Sequence, residues 1–357
     1  MKTQFIAAGF VLFSFMLPLK ASAFTGIYVI GDSLSDTGNV FAATEAATGI
    51  GLPPPPYFPG RISNGPIWID ELAQKLNLDS PTPFIQVVNG ATPQGGINFA
   101  FGGATTTAAN TIDANLFGLP QQVGAFQTLL NTNQQPVDPD ALYVLWLGAN
   151  DYLPTQSLDF VPFTNPDQTL ANISNAVQAL ASFGVKNLLV PNLSNLGNTP
   201  LGLSLGESIS NNLNQLTQEH NAGLSTLIAG FNQNPALGLN IIPLDLNSLF
   251  SNPQSLGFTN FTGPCLNAIA QTLCSNPDEY LYWDLNHPTT RAHSLVADAA
   301  FLALEPQSVP EPGAAWGMLA FGALGAAGVL KRQHKKFAFT PASPALVAQS
   351  SHTRAEN

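Results

Sequence analysis

Residues 141–147, Ala-Leu-Tyr-Val-Leu-Trp-Leu, form an unbroken apolar run that stops at Gly148-Ala149-Asn150-Asp151. A strand apolar on both faces must be covered on both, so this run predicts a central buried strand between two helical layers. Shorter runs at 27–32, 98–101, 187–191 and 239–244 read as further strands. Helical spacing recurs at 67–76, 120–130, 169–183, 207–231 and 292–304. Strands alternating with helices predict an α/β fold, a three-layer α/β/α sandwich with a mainly parallel central sheet. Four prolines, Pro53 to Pro56, mark a loop. No internal repeat and no second core are visible, so residues 24–305 read as one domain.

In an open sheet of this kind the reactive crevice lies at the carboxyl ends of the strands. The first strand runs into Gly31-Asp32-Ser33-Leu34-Ser35-Asp36-Thr37-Gly38. Ser33 thus leaves a strand in a turn rich in Gly and Asp, where its hydroxyl can act as a nucleophile if a base lies close. Asp284-Leu285-Asn286-His287-Pro288-Thr289 supplies that base, His287. The Asp284 carboxylate stands three residues earlier, within reach of the imidazole through one tight turn. Ser33, Asp284 and His287 are therefore the candidate catalytic residues of a serine hydrolase. Gly-Asp-Ser alone also fits an ordinary strand-to-helix turn with a cap. Ser35 is a second serine in the same turn. Asp36 and Asp151 read as turn and cap residues, and His293 as a surface or helix residue. A rival nucleophile, Ser204, sits in Gly202-Leu203-Ser204-Leu205-Gly206, a match to the G-x-S-x-G elbow of α/β-hydrolases. That elbow needs a strand directly before it, whereas residues 195–201 read as loop.

Four blocks, in order, resemble the GDSL esterases/lipases of the SGNH hydrolase superfamily. They are Gly31–Asp36, Asn98-Phe99-Ala100-Phe101-Gly102-Gly103-Ala104, Gly148–Asp151 and Asp284–Thr289. The segments Arg61–Pro66 and Phe258-Thr259-Asn260 are similar as well, and the likeness spans roughly Phe24 to Leu304. It implies a flavodoxin-like sheet and ester hydrolysis without cofactor or metal. It also implies an oxyanion hole made by the backbone N–H groups of Ser33 and Gly103 and the side-chain amide of Asn150. Glycine at 103 suits a backbone that must approach substrate without a Cβ. Gly102 is the alternative donor if the register differs by one. The implied substrates are lipid, short-chain or polysaccharide-linked esters. The competing reading is a non-catalytic matrix or surface binding protein that keeps the fold. A binding role has no need for the whole Ser, Gly, Asn and His set.

Both ends point to export. Residues 1–23 have the form of a signal peptide, with Lys2, an apolar stretch from Phe5 to Leu17 and Ala21-Ser22-Ala23 at the cleavage point. Residues 306–336 resemble a PEP-CTERM sorting signal: Val309-Pro310-Glu311-Pro312, an uncharged stretch 313–330, and the basic cluster 331–336. The stretch is long enough to span a bilayer, and the cluster would stay cytoplasmic. An exosortase-type processing enzyme is the implied partner, with transient anchoring in the inner membrane and release to the surface or medium. A plain membrane anchor is the simpler alternative. The tail 337–357 reads as disordered. The sorting signal inclines the substrate toward a surface or matrix polysaccharide ester.

Between Phe24 and Pro312 there are four basic residues, Arg61, Lys75, Lys186 and Arg291, against 21 acidic ones. So acidic a body argues against nucleic acid and anionic lipid as partners. In an exported protein Cys265 and Cys274 can close a small disulfide loop before His287, the alternative being two separate buried thiols. The five histidines show no metal-ligand spacing with the cysteines.

Overall fold

A computed structural model describes residues 24–305 except 134–135, 156–159 and 268–269. The expected signal peptide (1–23), sorting signal with its span (306–336) and disordered tail (337–357) lie outside the described residues. Among those described, no helix is long and apolar enough to cross a membrane.

Six strands form one sheet: β1 (Ile27–Gly31), β2 (Thr82–Pro83), β3 (Gly96–Asn98), β4 (Leu142–Trp146), β5 (Asn187–Pro191) and β6 (Asn240–Leu244). Their order is β2-β3-β1-β4-β5-β6, and every pairing is parallel. All five residues of β4 are buried, as its composition requires. Its alternate side chains enter different cores. Tyr143 and Leu145 pack with Phe126 of α4 (Leu119–Asn133), Ile173 of α5 (Asp167–Phe183) and Leu224 of α7 (Glu207–Asn232). Leu142, Val144 and Trp146 pack with Trp68 and Leu72 of α2 (Trp68–Lys75) and Val296 of α9 (Thr290–Leu304). The expected three-layer α/β/α sandwich is thus the observed fold.

The sequence order reverses at β1, which has β3 on one side and β4 on the other. Such a switch point opens a crevice at the carboxyl ends of the strands. Gly31 pairs with Trp146, so the turn after β1 and the turn after β4 emerge side by side.

Several elements differ from the sequence reading. β3 starts earlier and stops at Asn98, because Asn39 Nδ2 takes the carbonyls of Asn98 and Ala100 at 2.7 and 2.8 Å. An unforeseen helix, α1 (Asn39–Thr48), buries only its first two residues, so it has no apolar stripe to betray it. It lacks a side-chain cap at Gly38; Asp36, earlier in the turn, accepts the Asn39 and Val40 N–H groups instead. Also absent from the sequence reading are α3 (Phe84–Val88), α6 (Pro200–Ser204), α8 (Leu246–Leu249), β2 and four short strands outside the main sheet. Of these strands, β7 (Asn260–Pro264) pairs in parallel with β10 (Tyr280–Tyr282), and β8 (Leu266–Asn267) pairs with β9 (Thr272–Leu273) as a hairpin.

Candidate active site

Ser33 sits in the turn after β1 and is 8% exposed. The turn is held by Gln122 on α4, whose side chain accepts the Gly31 N–H at 2.9 Å and donates to the Gly31 carbonyl at 2.8 Å. Asp36 accepts four backbone N–H groups: Gly38 (2.7 Å), Asn39 (2.6 Å), Val40 (3.1 Å) and Gly102 (2.9 Å). One carboxylate therefore caps α1 and ties the first block to the second. Ser35 faces inward, fully buried, and its hydroxyl accepts the Trp68 indole N–H at 3.2 Å. It cannot act as the nucleophile.

The candidate base, His287, lies in the loop between β10 and α9. Trp283 N–H donates to the His287 carbonyl at 2.7 Å, closing residues 284–286 into a tight turn. Asp284 Oδ1 accepts the Asn286 and His287 N–H groups, each at 2.8 Å. His287 Nδ1 lies 2.8 Å from both oxygens of Asp284, and His287 Nε2 lies 2.9 Å from Ser33 Oγ. A continuous hydrogen-bonded line thus runs from Asp284 through His287 to Ser33, joining residues more than 250 positions apart.

The pKa shifts follow from this geometry. Burial pulls His287 down, but the Asp284 carboxylate outweighs it, with help from Asp32, and the net shift is upward. Burial pushes Asp284 up, yet the neighbouring imidazole and its hydrogen bonds leave it below the usual carboxylate range. The pair favours an imidazolium beside a carboxylate, the state His287 enters when it takes a proton from a hydroxyl. Asp32 is buried, with one hydrogen bond from the Leu34 N–H at 3.0 Å, and burial raises it to about 7.

Gly103 and Asn150 line the same cavity as Ser33 and His287. Gly103 has φ +75°, and a Cβ there would stand 2.6 Å from Asn110 Oδ1. Among the described residues the Ser33 and Gly103 N–H groups make no hydrogen bond, whereas the Gly102 N–H is occupied by Asp36. Asn150 donates one amide hydrogen to the Ala104 carbonyl at 3.0 Å and keeps the other. Its turn is anchored by the buried carboxylate of Asp151. Asp151 accepts the Thr106 N–H at 2.8 Å, the Thr106 hydroxyl, and the Thr169 hydroxyl at 2.6 Å.

Two expectations are corrected or narrowed. His293 belongs to helix α9 but is buried, 1% exposed, and lines the cavity; burial and the charge of His287 hold it down to about 3. Helix α9 packs against the site and turns His293 inward. Ser204 ends the short helix α6, and its hydroxyl is turned back onto the Leu201 carbonyl at 2.7 Å. The segment before it is helical turn and loop rather than strand, so the G-x-S-x-G match has no elbow.

Cys265 and Cys274 are joined in a disulfide that clasps the β8–β9 hairpin. Cys265 N–H donates to the Tyr282 carbonyl at 3.0 Å and Leu266 N–H to the Trp283 carbonyl at 2.6 Å. The clasp therefore braces the strand that leads into Asp284. A contact the sequence did not suggest completes the site: Tyr57 Oη donates to Asp284 Oδ2 at 2.8 Å. Nothing in the spacing of residues 57 and 284 signals it.

Comparisons with known proteins give the chain's relatives. A family model described as GDSL-like lipase/acylhydrolase matches residues 27–300. A GDSL esterase/lipase of Arabidopsis thaliana is 28% identical, the match covering 77% of this chain and 84% of that protein. The phosphatidylcholine-sterol acyltransferase of Aeromonas hydrophila is 25% identical, covering 86% of this chain and 98% of that protein. Among solved structures, the inhibitor-bound aryl esterase of M. smegmatis aligns with a TM-score of 0.40 and 17% identity, covering 78% of this chain and 96% of that one.

Proposed function

The chain belongs to the GDSL-like lipase/acylhydrolase family and is a carboxylic ester hydrolase, and from that premise we propose that it works through an acyl-enzyme on Ser33. The observation that carries the proposal is the hydrogen-bonded line Asp284–His287–Ser33 at the carboxyl end of β1. His287 Nε2 takes the hydroxyl proton as Ser33 Oγ bonds to the ester carbonyl carbon. The carbonyl electron pair moves onto oxygen, and the N–H groups of Ser33 and Gly103 with the free amide hydrogen of Asn150 stabilise that oxyanion. Collapse expels the alcohol oxygen, which takes the proton from His287. Water then repeats the sequence on the acyl-serine and releases the acid. Asp284 fixes the imidazole tautomer and stabilises the imidazolium without accepting its proton. That Asp36 already occupies the Gly102 N–H supports Gly103 as the donor.

The cavity of about 210 Å³ is lined by Ile62, Ile112, Leu153, Leu193, Leu246 and Phe250 among others. This lining supports an apolar acyl chain, as in a lipid or medium-chain ester, over acetyl groups on a sugar chain. The Cys265–Cys274 bridge supports export, the reading given by residues 1–23 and 306–336. Exosortase processing and transient membrane anchoring belong to the same proposal on sequence grounds.

The test is hydrolysis of p-nitrophenyl esters from acetate to decanoate by wild type and Ser33→Ala. Loss of activity on substitution, with kcat/KM rising from acetate to longer chains, is expected. Activity surviving in Ser33→Ala sinks the nucleophile assignment, and a maximum at acetate sinks the acyl assignment. Intact termini on the exported protein would remove the processing step.

A further inference from the structure

Asp284 has four hydrogen-bond donors, and three of them come from its own turn: the Asn286 N–H, the His287 N–H and the His287 ring. The fourth is the Tyr57 hydroxyl, from the loop that follows the four prolines. That loop is docked on the base-bearing segment along its length. Ser63 Oγ donates to the Pro288 carbonyl at 2.9 Å, and Asn64 Oδ1 accepts the Thr290 N–H at 2.9 Å. Its other flank is pinned by Arg61, which forms a two-point bridge to Asp70 at 2.9 and 2.7 Å. The Tyr57 ring meets Trp283 edge-on at 6.0 Å, which sets the direction of the hydroxyl. Ile62, in the same loop, lines the substrate cavity.

From this arrangement we infer that Tyr57 is a positioning residue for the triad, holding Asp284 Oδ2 and sharing its charge so that His287 is aligned but not over-stabilised as imidazolium. The inference rests on the reading of Ser33, His287 and Asp284 given above. Burial and the adjacent carboxylate push the Tyr57 phenol above its ordinary range, so it stays a donor throughout the working pH range. The groups facing His287 are Asp284 in its own turn, Ser33 and Asp32 after β1, and His293 on α9. Of these, Asp284 is the one Tyr57 touches.

Tyr57→Phe keeps the ring against Trp283 and removes only the hydroxyl. With one donor fewer, more negative charge remains on Asp284 facing the imidazole, and His287 becomes more basic. The expected result is a kcat lowered about tenfold with KM unchanged, the scale of one hydrogen bond to a charged group. The acid limb of kcat/KM should also move to higher pH. Loss of packing alone would lower activity without moving that limb. The second arm is a double-mutant cycle in the full-length protein. Adding Tyr57→Phe to Asp284→Asn should cost far less than adding it to wild type, because the partner charge is gone. An equal cost in both backgrounds, or a wild-type kcat and pH profile in Tyr57→Phe, overturns the inference. Ser33→Ala run beside them separates the failures. Activity surviving there refutes the triad itself, whereas an inactive Ser33→Ala beside an unaltered Tyr57→Phe refutes only the role of Tyr57.

Discussion

Replacing Gly103 by alanine should harm catalysis far more than the same change at Gly102, although the two are neighbours. Gly103 sits at φ +75°, where an L-residue with a Cβ loses about 1–2 kcal/mol. The added methyl would meet Asn110 Oδ1 at 2.6 Å, Ile112 Cγ1 at 2.8 Å and the Ile112 backbone nitrogen at 3.0 Å. Asn110 cannot swing aside freely. Its oxygen accepts the Ile112 N–H at 2.9 Å and its amide donates to the Gly102 carbonyl at 2.8 Å. Relieving the clash therefore moves the 103 backbone, adding about 1–3 kcal/mol of overpacking. In the proposed mechanism a displaced Gly103 N–H removes one oxyanion donor, which is worth roughly 2.7–4 kcal/mol, or about 10²–10³ in kcat. At Gly102 the atoms nearest the new Cβ are side-chain methyls rather than backbone, Ile62 Cδ1 at 3.0 Å, Val40 Cγ2 at 3.3 Å and Ile112 Cδ1 at 3.4 Å. Its N–H already serves Asp36. We expect kcat for Gly102→Ala within about threefold of wild type, since its small-to-large cost falls on packing. Steady-state kinetics on one p-nitrophenyl ester, with thermal melts of each variant, gives the comparison. Equal kcat losses in the two variants, or a larger loss at 102, would refute the assignment of the donor and the steric argument together.

Asn150→Ala should lower kcat by about 10²–10³ and leave KM nearly unchanged, because in the proposed mechanism the amide acts on the oxyanion and not on the bound ester; a pure KM effect would count against it. The proposed mechanism requires neutral His287, whose pKa is raised above the ordinary 6.5, so the acid limb of kcat/KM should fall above pH 6.5 and activity should disappear below it. A limb well below 6.5 would mean that Asp284 does not act on the imidazole as the distances imply. Reducing the Cys265–Cys274 bridge should lower stability by about 2–3 kcal/mol on the chain-entropy model for a short loop. It should also lower activity, since the clasped hairpin braces Tyr282 and Trp283. A thiol titration alongside the melt checks both parts, and a reduced protein with unaltered Tm would remove the structural role.

Those features carried by local periodicity or short spacing were legible in the sequence. β4 is apolar on every residue because it is buried on both faces, and α7 and α9 show stripes because each covers the sheet on one side. Asp284 and His287 were legible because a three-residue separation is itself a turn geometry. The rest depends on tertiary contact. α1 has no stripe, and its cap lies back at Asp36, outside the usual capping position. Gly102 and Gly103 are indistinguishable as letters; they separate only when Asp36 is seen to take one N–H and a positive φ is seen at the other. Tyr57 and Asp284 meet across 227 positions, which no window of the sequence contains.

Asp36 of the first block and Asp151 of the third each have a scaffold task near a proposed catalytic residue. Asp36 accepts an N–H from the second block, and Asp151 accepts an N–H and a hydroxyl from Thr106, just beyond it. Both are buried, and burial raises both, so their hydrogen bonds do not fully offset the desolvation of a charge. A site that tolerates two such costs gains rigidity in return. The two carboxylates hold the turns after β1 and β4 to the Gly102–Thr106 segment, and those three segments carry the Ser33, Asn150 and Gly103 groups of the proposed oxyanion hole. Oxyanion stabilisation works only if its donors are aimed before charge develops, since donors that must reorganise give back what they stabilise. On the proposed mechanism Asp36 and Asp151 therefore act on the rate through the geometry of the hole, without touching substrate. Asp151→Asn keeps the volume and one acceptor oxygen but removes an acceptor from the two threonine hydroxyls. It should lower kcat more than tenfold and stability by about 1–3 kcal/mol, the cost of unsatisfied buried polar groups. A Tm loss with wild-type kcat at a temperature where the variant is folded would show the clamp to be structural only.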